Sequence, residues 1–227
     1  MAGSVVDLTD PTVPLPSLIV VDTNIIVERF GSSFGYQSHL TYGPRVQNFF
    51  QRLSRANATG IVTPAVHVEL AHVLVKLWYP TLLGRNKAAL TQQFGPLSSW
   101  KELYKRDPGI LRGMRSDFSL LSQQMAASGI RSVDSRELNP IPTGHPSDHE
   151  LIEIMCRYGL DSTDAMILSE AERIPVLEIA TLDADMLRVQ ADFTIYTWLK
   201  PLSASCRSRS SAAVVIRSPA SGTRRLW

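Results

Sequence analysis

The 227-residue sequence predicts an α/β fold built on a parallel sheet. Three observations carry that expectation. Short apolar runs rich in β-branched residues alternate with longer helical stretches. Helix-opening residues stand directly after those runs. The balance of 44% hydrophobic and 19% charged residues suits one domain with a real core. Alternating strands and helices imply a sheet whose ligands bind outside the carboxyl ends of its strands.

Residues 1–16 contain Pro11, Pro14 and Pro16 without helical or strand periodicity, so they are expected to form a flexible leader. The run Ser17-Leu-Ile-Val-Val21 reads as a buried parallel strand, followed by Asp22-Thr23-Asn24 as a helix cap and Ile25-Ile-Val-Glu-Arg-Phe30 as a helix. A second helix is expected over Pro44–Asn57, a strand over Gly60–Thr63 and a helix opened by Pro64. Residues 80–129 read as a helical insertion broken at Gly95-Pro96 and Asp107-Pro108-Gly109, with Gly129 as a stop and Ile130–Val133 as a strand. Helices follow over Asp148–Tyr158 and from Ser162 to before Pro175. Val176–Leu182 is then a strand, Ala184–Val189 a helical turn and Phe193–Leu199 the last strand. The expected domain is therefore 17–199, with a basic, disordered tail from 200 to 227.

That tail matters for charge. Residues 201–227 carry five Arg and no acid, so the net +2 of the whole chain becomes −3 for the remainder. Two cysteines, Cys156 and Cys206, are too few for a disulfide framework or a zinc site, which points to a reduced, cytoplasmic protein. No apolar run reaches the ~20 residues of a membrane span, and the N-terminus lacks the charged and apolar regions of a signal peptide.

Four acids stand in unusual places. Asp22 and Asp183 follow apolar strands, and Glu69 and Asp164 lie on apolar helix faces, Glu69 with Ala65, Val66 and Val73, Asp164 with Leu160, Ile167 and Leu168. A carboxylate facing a core needs a proton, a basic partner or a metal ion. No matching set of Lys or Arg accompanies them, which favours metal. Each has a plainer reading: Asp22 and Asp183 as caps, Glu69 as a partner of His72 or an Arg. Asp161, one turn before Asp164, reads first as a cap, and Asp185 competes with Asp183 for any metal role.

Taken together, Val20-Val-Asp-Thr-Asn24, Thr63-Pro-Ala-Val-His-Val-Glu69-Leu, Arg157-Tyr-Gly-Leu-Asp-Ser-Thr-Asp164-Ala-Met-Ile-Leu-Ser-Glu-Ala171 and Ala180-Thr-Leu-Asp183-Ala-Asp-Met resemble the PIN-domain nucleases, especially the VapC-like toxins of toxin–antitoxin systems. The resemblance spans most of 17–199 and implies a PIN-like three-layer α/β/α fold. It implies that Asp22, Glu69, Asp164 and Asp183 bind Mg²⁺ or Mn²⁺ and cut RNA, with Asp161 and Asp185 as additional ligands. Thr23 and Asn24 would then fix the first loop and Thr181 the last. A toxin role implies an antitoxin partner and a homodimer. The segment between Trp78 and His145 is longer than in compact toxins of this kind. Three other readings stand beside this one, the nearest a stand-alone PIN-domain RNA-processing nuclease without an antitoxin. An aspartyl phosphatase would need a second acid where Asn24 stands, and a non-catalytic PIN scaffold would bind RNA or protein without cutting.

Overall fold

The computed structural model describes residues 3–199 except 98, 142, 143, 145 and 146; the expected basic tail lies outside the described residues. In chain order the elements are β1 (Ser4–Asp7), β2 (Leu18–Val21), α1 (Thr23–Phe30), α2 (Tyr42–Arg55), β3 (Thr59–Val62), α3 (Pro64–Phe94), α4 (Trp100–Arg106), α5 (Arg115–Ala127), β4 (Ile130–Ser132), α6 (Ser147–Tyr158), α7 (Ser162–Arg173), β5 (Glu178–Ala180) and β6 (Thr194–Thr197). The strands form one sheet in the order β1-β6-β5-β2-β3-β4, and every neighbouring pair is parallel. The protein is thus α/β with a single all-parallel six-stranded sheet.

Burial explains why the central strands read as continuous apolar runs. Ile19, Val20 and Val21 of β2 are all fully buried although successive side chains point to opposite faces. The sheet is therefore covered on both sides, the arrangement of a three-layer α/β/α fold. Each such side chain contributes about 1.5–3 kcal/mol of burial free energy. On the helices the period changes: Val46, Phe49, Phe50 and Leu53 make the buried stripe of α2, and the Phe50 ring meets Phe30 of α1 edge-on at 5.3 Å between centroids.

The strand order places the site. From β2 the chain moves outward to β3 and β4, then returns to the other side of β2 for β5 and β6. The order reverses between β2 and β5, and in open parallel sheets the crevice at such a point is where ligands bind. Asp22 ends β2 and Asp183 follows β5 by three residues.

The structure departs from the sequence reading in the leader. Residues 4–7 are not loose; they form the edge strand β1, in register from Ser4 with Thr194 to Asp7 with Thr197. The pairing continues as Leu8 N–H donates to the Thr197 carbonyl at 2.8 Å, and Leu8 is buried. A run of two valines is too short to show a period, and its partner lies at the far end of the chain.

The 80–129 segment also divides differently. α3, opened by Pro64, carries on into that segment, running through Pro80 to Phe94 with non-helical angles at Asn86. Tyr79, Leu90 and Leu103 form a small separate cluster with Leu82, Leu83, Phe94, Leu97 and Ile110. α5, by contrast, inserts Leu121 and Met125 into the main core and is the connection into β4. The insertion proper is the α3 end, α4 and the turn over 108–114. Among the described residues no helix is long and apolar enough to cross a membrane.

Candidate functional site

Asp22 stands where β2 becomes α1. Its backbone N–H still donates to Ala180 of β5 at 3.0 Å, while its extended φ and ψ of −71° and 154° let its side chain cap the helix. Oδ1 accepts from Thr23 N at 2.6 Å, and Oδ2 accepts from the Asn24 amide and the Thr181 hydroxyl, both at 2.6 Å. The cap reading is therefore correct for Asp22, but incomplete. A simple cap stays hydrated, whereas Asp22 is 4% exposed.

Thr23, Asn24 and Thr181 tie three loops together. Asn24 Oδ1 accepts from Leu182 N at 3.0 Å, locking the segment after β5 onto the start of α1. The Thr181 hydroxyl also accepts from Asp183 N at 2.8 Å, which sets the turn carrying Asp183. The Thr23 hydroxyl donates to Glu69 Oε2 at 2.6 Å, joining α1 to α3. These are the supporting positions the sequence reading named.

Glu69 and Asp164 come from helices whose starts are fixed by capping. Pro64 opens α3 after Thr63, and a buried glutamate of α7, Glu170, accepts from Ala65 N at 2.7 Å. Asp161 caps α7 by accepting from the N–H groups of Thr163 and Asp164 at 2.8 and 3.0 Å. Glu69, in the second turn of α3, and Asp164, in the first turn of α7, are both half-buried.

Asp22, Glu69, Asp164 and Asp183 line one cavity of about 350 Å³ together with Thr23 and Asn24. Among the described residues none of the four forms an ion pair, and no donor contacts the Asp164 carboxylate. Their electrostatics follow. Burial pushes Asp22 up to about 6, opposed by the Thr181 hydroxyl and reinforced by Glu69 and Asp183. Burial also pushes Asp164 up to about 7, followed by repulsion from Asp161, Asp22, Asp183 and Glu69.

The donor set fits a hard divalent cation: four carboxylates, no thiolate, and one of them without any partner. As placed, however, the acids line the cavity without converging; among the described residues no three His, Cys, Asp or Glu side chains are positioned to hold one metal ion. Asp161 and Asp185 do not join them. Asp161 is exposed and committed to its cap, and Asp185 is exposed and paired with Arg188 at 2.9 Å. Both were named as additional ligands, and neither lines the cavity.

The sequence reading missed the opposite wall of the same cavity, which contains Glu28, Tyr36, His39 and Tyr42. A signal was present for one of them. Glu28 interrupts the apolar run of α1 just as Glu69 interrupts that of α3, and it is equally out of place. His39 and Tyr42 lie in and after a loop with no period to reveal them.

No protein-family model matches the chain, and no curated protein matches it. The class defined by fold and geometry is an all-parallel α/β protein with an acidic cavity where its strand order reverses.

Proposed function

We propose that the chain is a PIN-type endoribonuclease that cuts RNA phosphodiester bonds with Mg²⁺ or Mn²⁺, and that it acts as the toxin of a toxin–antitoxin pair. One observation supports the catalytic reading above the rest: four carboxylates from four separate segments line one cavity at the reversal of strand order, and among the described residues none of them pairs with a Lys or Arg. Asp22, Glu69, Asp164 and Asp183 would hold the cation, which supplies positive charge to polarise the phosphodiester and lower the pKa of an attacking water.

The chain's own residues do the rest. Asn24 and Thr181 hold the Asp22 carboxylate in one orientation, and Thr23 holds Glu69. Without a cation Asp164 keeps its proton close to neutrality, and it must release that proton to serve as a ligand.

The decisive experiment is cleavage of labelled RNA by purified protein with Mn²⁺, Mg²⁺ or EDTA, with Asp164→Asn and Asp22→Asn in parallel. Cleavage that needs both the metal and the carboxylates is expected. Full cleavage by both metal-loaded variants would remove the site. RNA binding without cleavage by folded wild-type protein would favour a non-catalytic scaffold, a reading favoured by the open spacing of the acids. Growth arrest on expression in a bacterial host tests the toxin role separately.

A further inference from the structure

We infer that His39 and Tyr42 form a stacking wall that holds one unpaired base of a single-stranded nucleic acid next to the four carboxylates. The inference rests on the nuclease reading for its ligand class and on separate residues for its geometry. Among the described residues, the cavity that contains the acids is lined by no Lys or Arg. With no Lys or Arg there to attract a phosphodiester, the aromatic side chains of the lining are the groups that can add affinity beyond that of a metal ion. Aromatic faces supply it, since every base presents a π-face.

His39 and Tyr42 sit on that same cavity with ring centroids 5.0 Å apart and planes inclined by 39°. His39 is exposed, Tyr42 is half-buried, and Leu40 between them is 94% exposed. The Thr41 N–H donates to His39 Nδ1 at 3.1 Å, so in the neutral ring Nε2 carries the proton and is free to donate to a base edge.

The loop is held in place at unusual cost. Glu28, 6% exposed, accepts from the Tyr36 hydroxyl at 2.6 Å, from the Ser38 hydroxyl and from His39 N at 2.7 Å. A buried carboxylate is expensive, and here all three of its partners lie in the segment that presents His39. Fixing an exposed loop before the ligand arrives lowers the ordering cost of binding. The wall is thus built on a rigid support rather than on loop chance.

The test is a binding cycle in the Asp164→Asn background with Mg²⁺, read by fluorescence anisotropy of a labelled hexanucleotide. RNA and DNA versions are used, each intact or with single abasic positions. Tyr42→Ala is expected to weaken binding of the intact oligonucleotide by about 5- to 150-fold, the range of one lost base stack. His39→Ala should weaken it in the same direction, and Tyr42→Phe should bind within about twofold of the parent. At one abasic position the Tyr42→Ala penalty should vanish, because the base it stacks on is already gone. Unchanged binding by Tyr42→Ala, a penalty equal at all abasic positions, or no binding of either oligonucleotide by the parent would overturn the wall. Equal loss in Tyr42→Phe would assign Tyr42 to hydroxyl bonding instead and would also overturn it. Metal-dependent cleavage by wild type alongside a failed cycle would leave the nuclease standing; a successful cycle without cleavage would do the reverse.

Discussion

Asp164→Asn isolates the electrostatic cost of the acidic cavity. Asp164 carries a half-buried carboxylate that no donor contacts among the described residues, so replacing it with an amide removes charge without breaking a hydrogen bond of that group. Its proton is held to about 7 in the folded protein against 3.8 for the free side chain. A raised carboxyl pKa means that between those values the folded state binds more protons than the unfolded one, and stability falls as pH rises. The full shift corresponds to about 4 kcal/mol at 1.36 kcal/mol per unit. Because solvent screens a half-buried group, about 1–2 kcal/mol is the expected effect. In EDTA, Asp164→Asn should therefore be more stable than wild type at pH 8 by that amount, a shift in urea midpoint of about 0.5–1 M. The gap should narrow toward pH 4, where Asp164 is protonated in the folded state and about half protonated in the unfolded one. Millimolar Mg²⁺ at pH 8 should raise wild type more than the variant. Urea unfolding followed by circular dichroism at the two pH values measures all of this. A variant less stable than wild type at pH 8 by as much as at pH 4 would refute the reasoning.

Other consequences are equally direct. Thr181→Val removes a donor from the fully buried Asp22 and should destabilise the metal-free protein at pH 8 by about 1–3 kcal/mol in chemical denaturation, with Asp22 driven further upward. Glu170→Ala strips the acceptor from Ala65 N at the start of α3, and a loss of about 1–3 kcal/mol is expected, with faster hydrogen exchange at Ala65 as the local signature. Gly60→Val would place a Cβ 2.4 Å from Ile130 Cδ1 and 2.9 Å from Val21 Cγ2, so it should cost about 1–3 kcal/mol by overpacking β3 between its neighbours, read in the same urea series. Deleting residues 1–8 uncovers the outer edge of β6 and removes buried Leu8; a lower urea midpoint is expected, whereas an unchanged one would return β1 to the status of a leader.

Much of the site was legible because its residues violate local patterns. Asp22, Glu69, Asp164 and Asp183 are acids where an isolated strand or helix calls for something apolar, and the structure brings all four to one cavity. Asp161, read first as a cap, is one, and Asp185, the competitor of Asp183, ends in a surface ion pair with Arg188. Glu28 was legible by the same rule and passed over, while His39 and Tyr42 were not, because a loop has no period against which a residue looks misplaced.

The sequence by itself determined the alternation of strands and helices, the buried character of the central strands, the helix starts at Asp22, Pro64 and Asp161, and the acids that face inward. These depend on residues within one or two turns of each other, where spacing and side-chain chemistry act directly. Only the tertiary structure decided that Ser4–Asp7 is a sheet edge, that α3 continues through Pro80, that α5 belongs to the main core, and that His39 and Tyr42 line the acidic cavity. Each of those depends on a partner far along the chain: β1 needs β6 to satisfy its backbone, and α5 needs the core beside α1 and β4 to bury its apolar face. Long-range partners carry no local period, so their choice is made when the chain closes on itself.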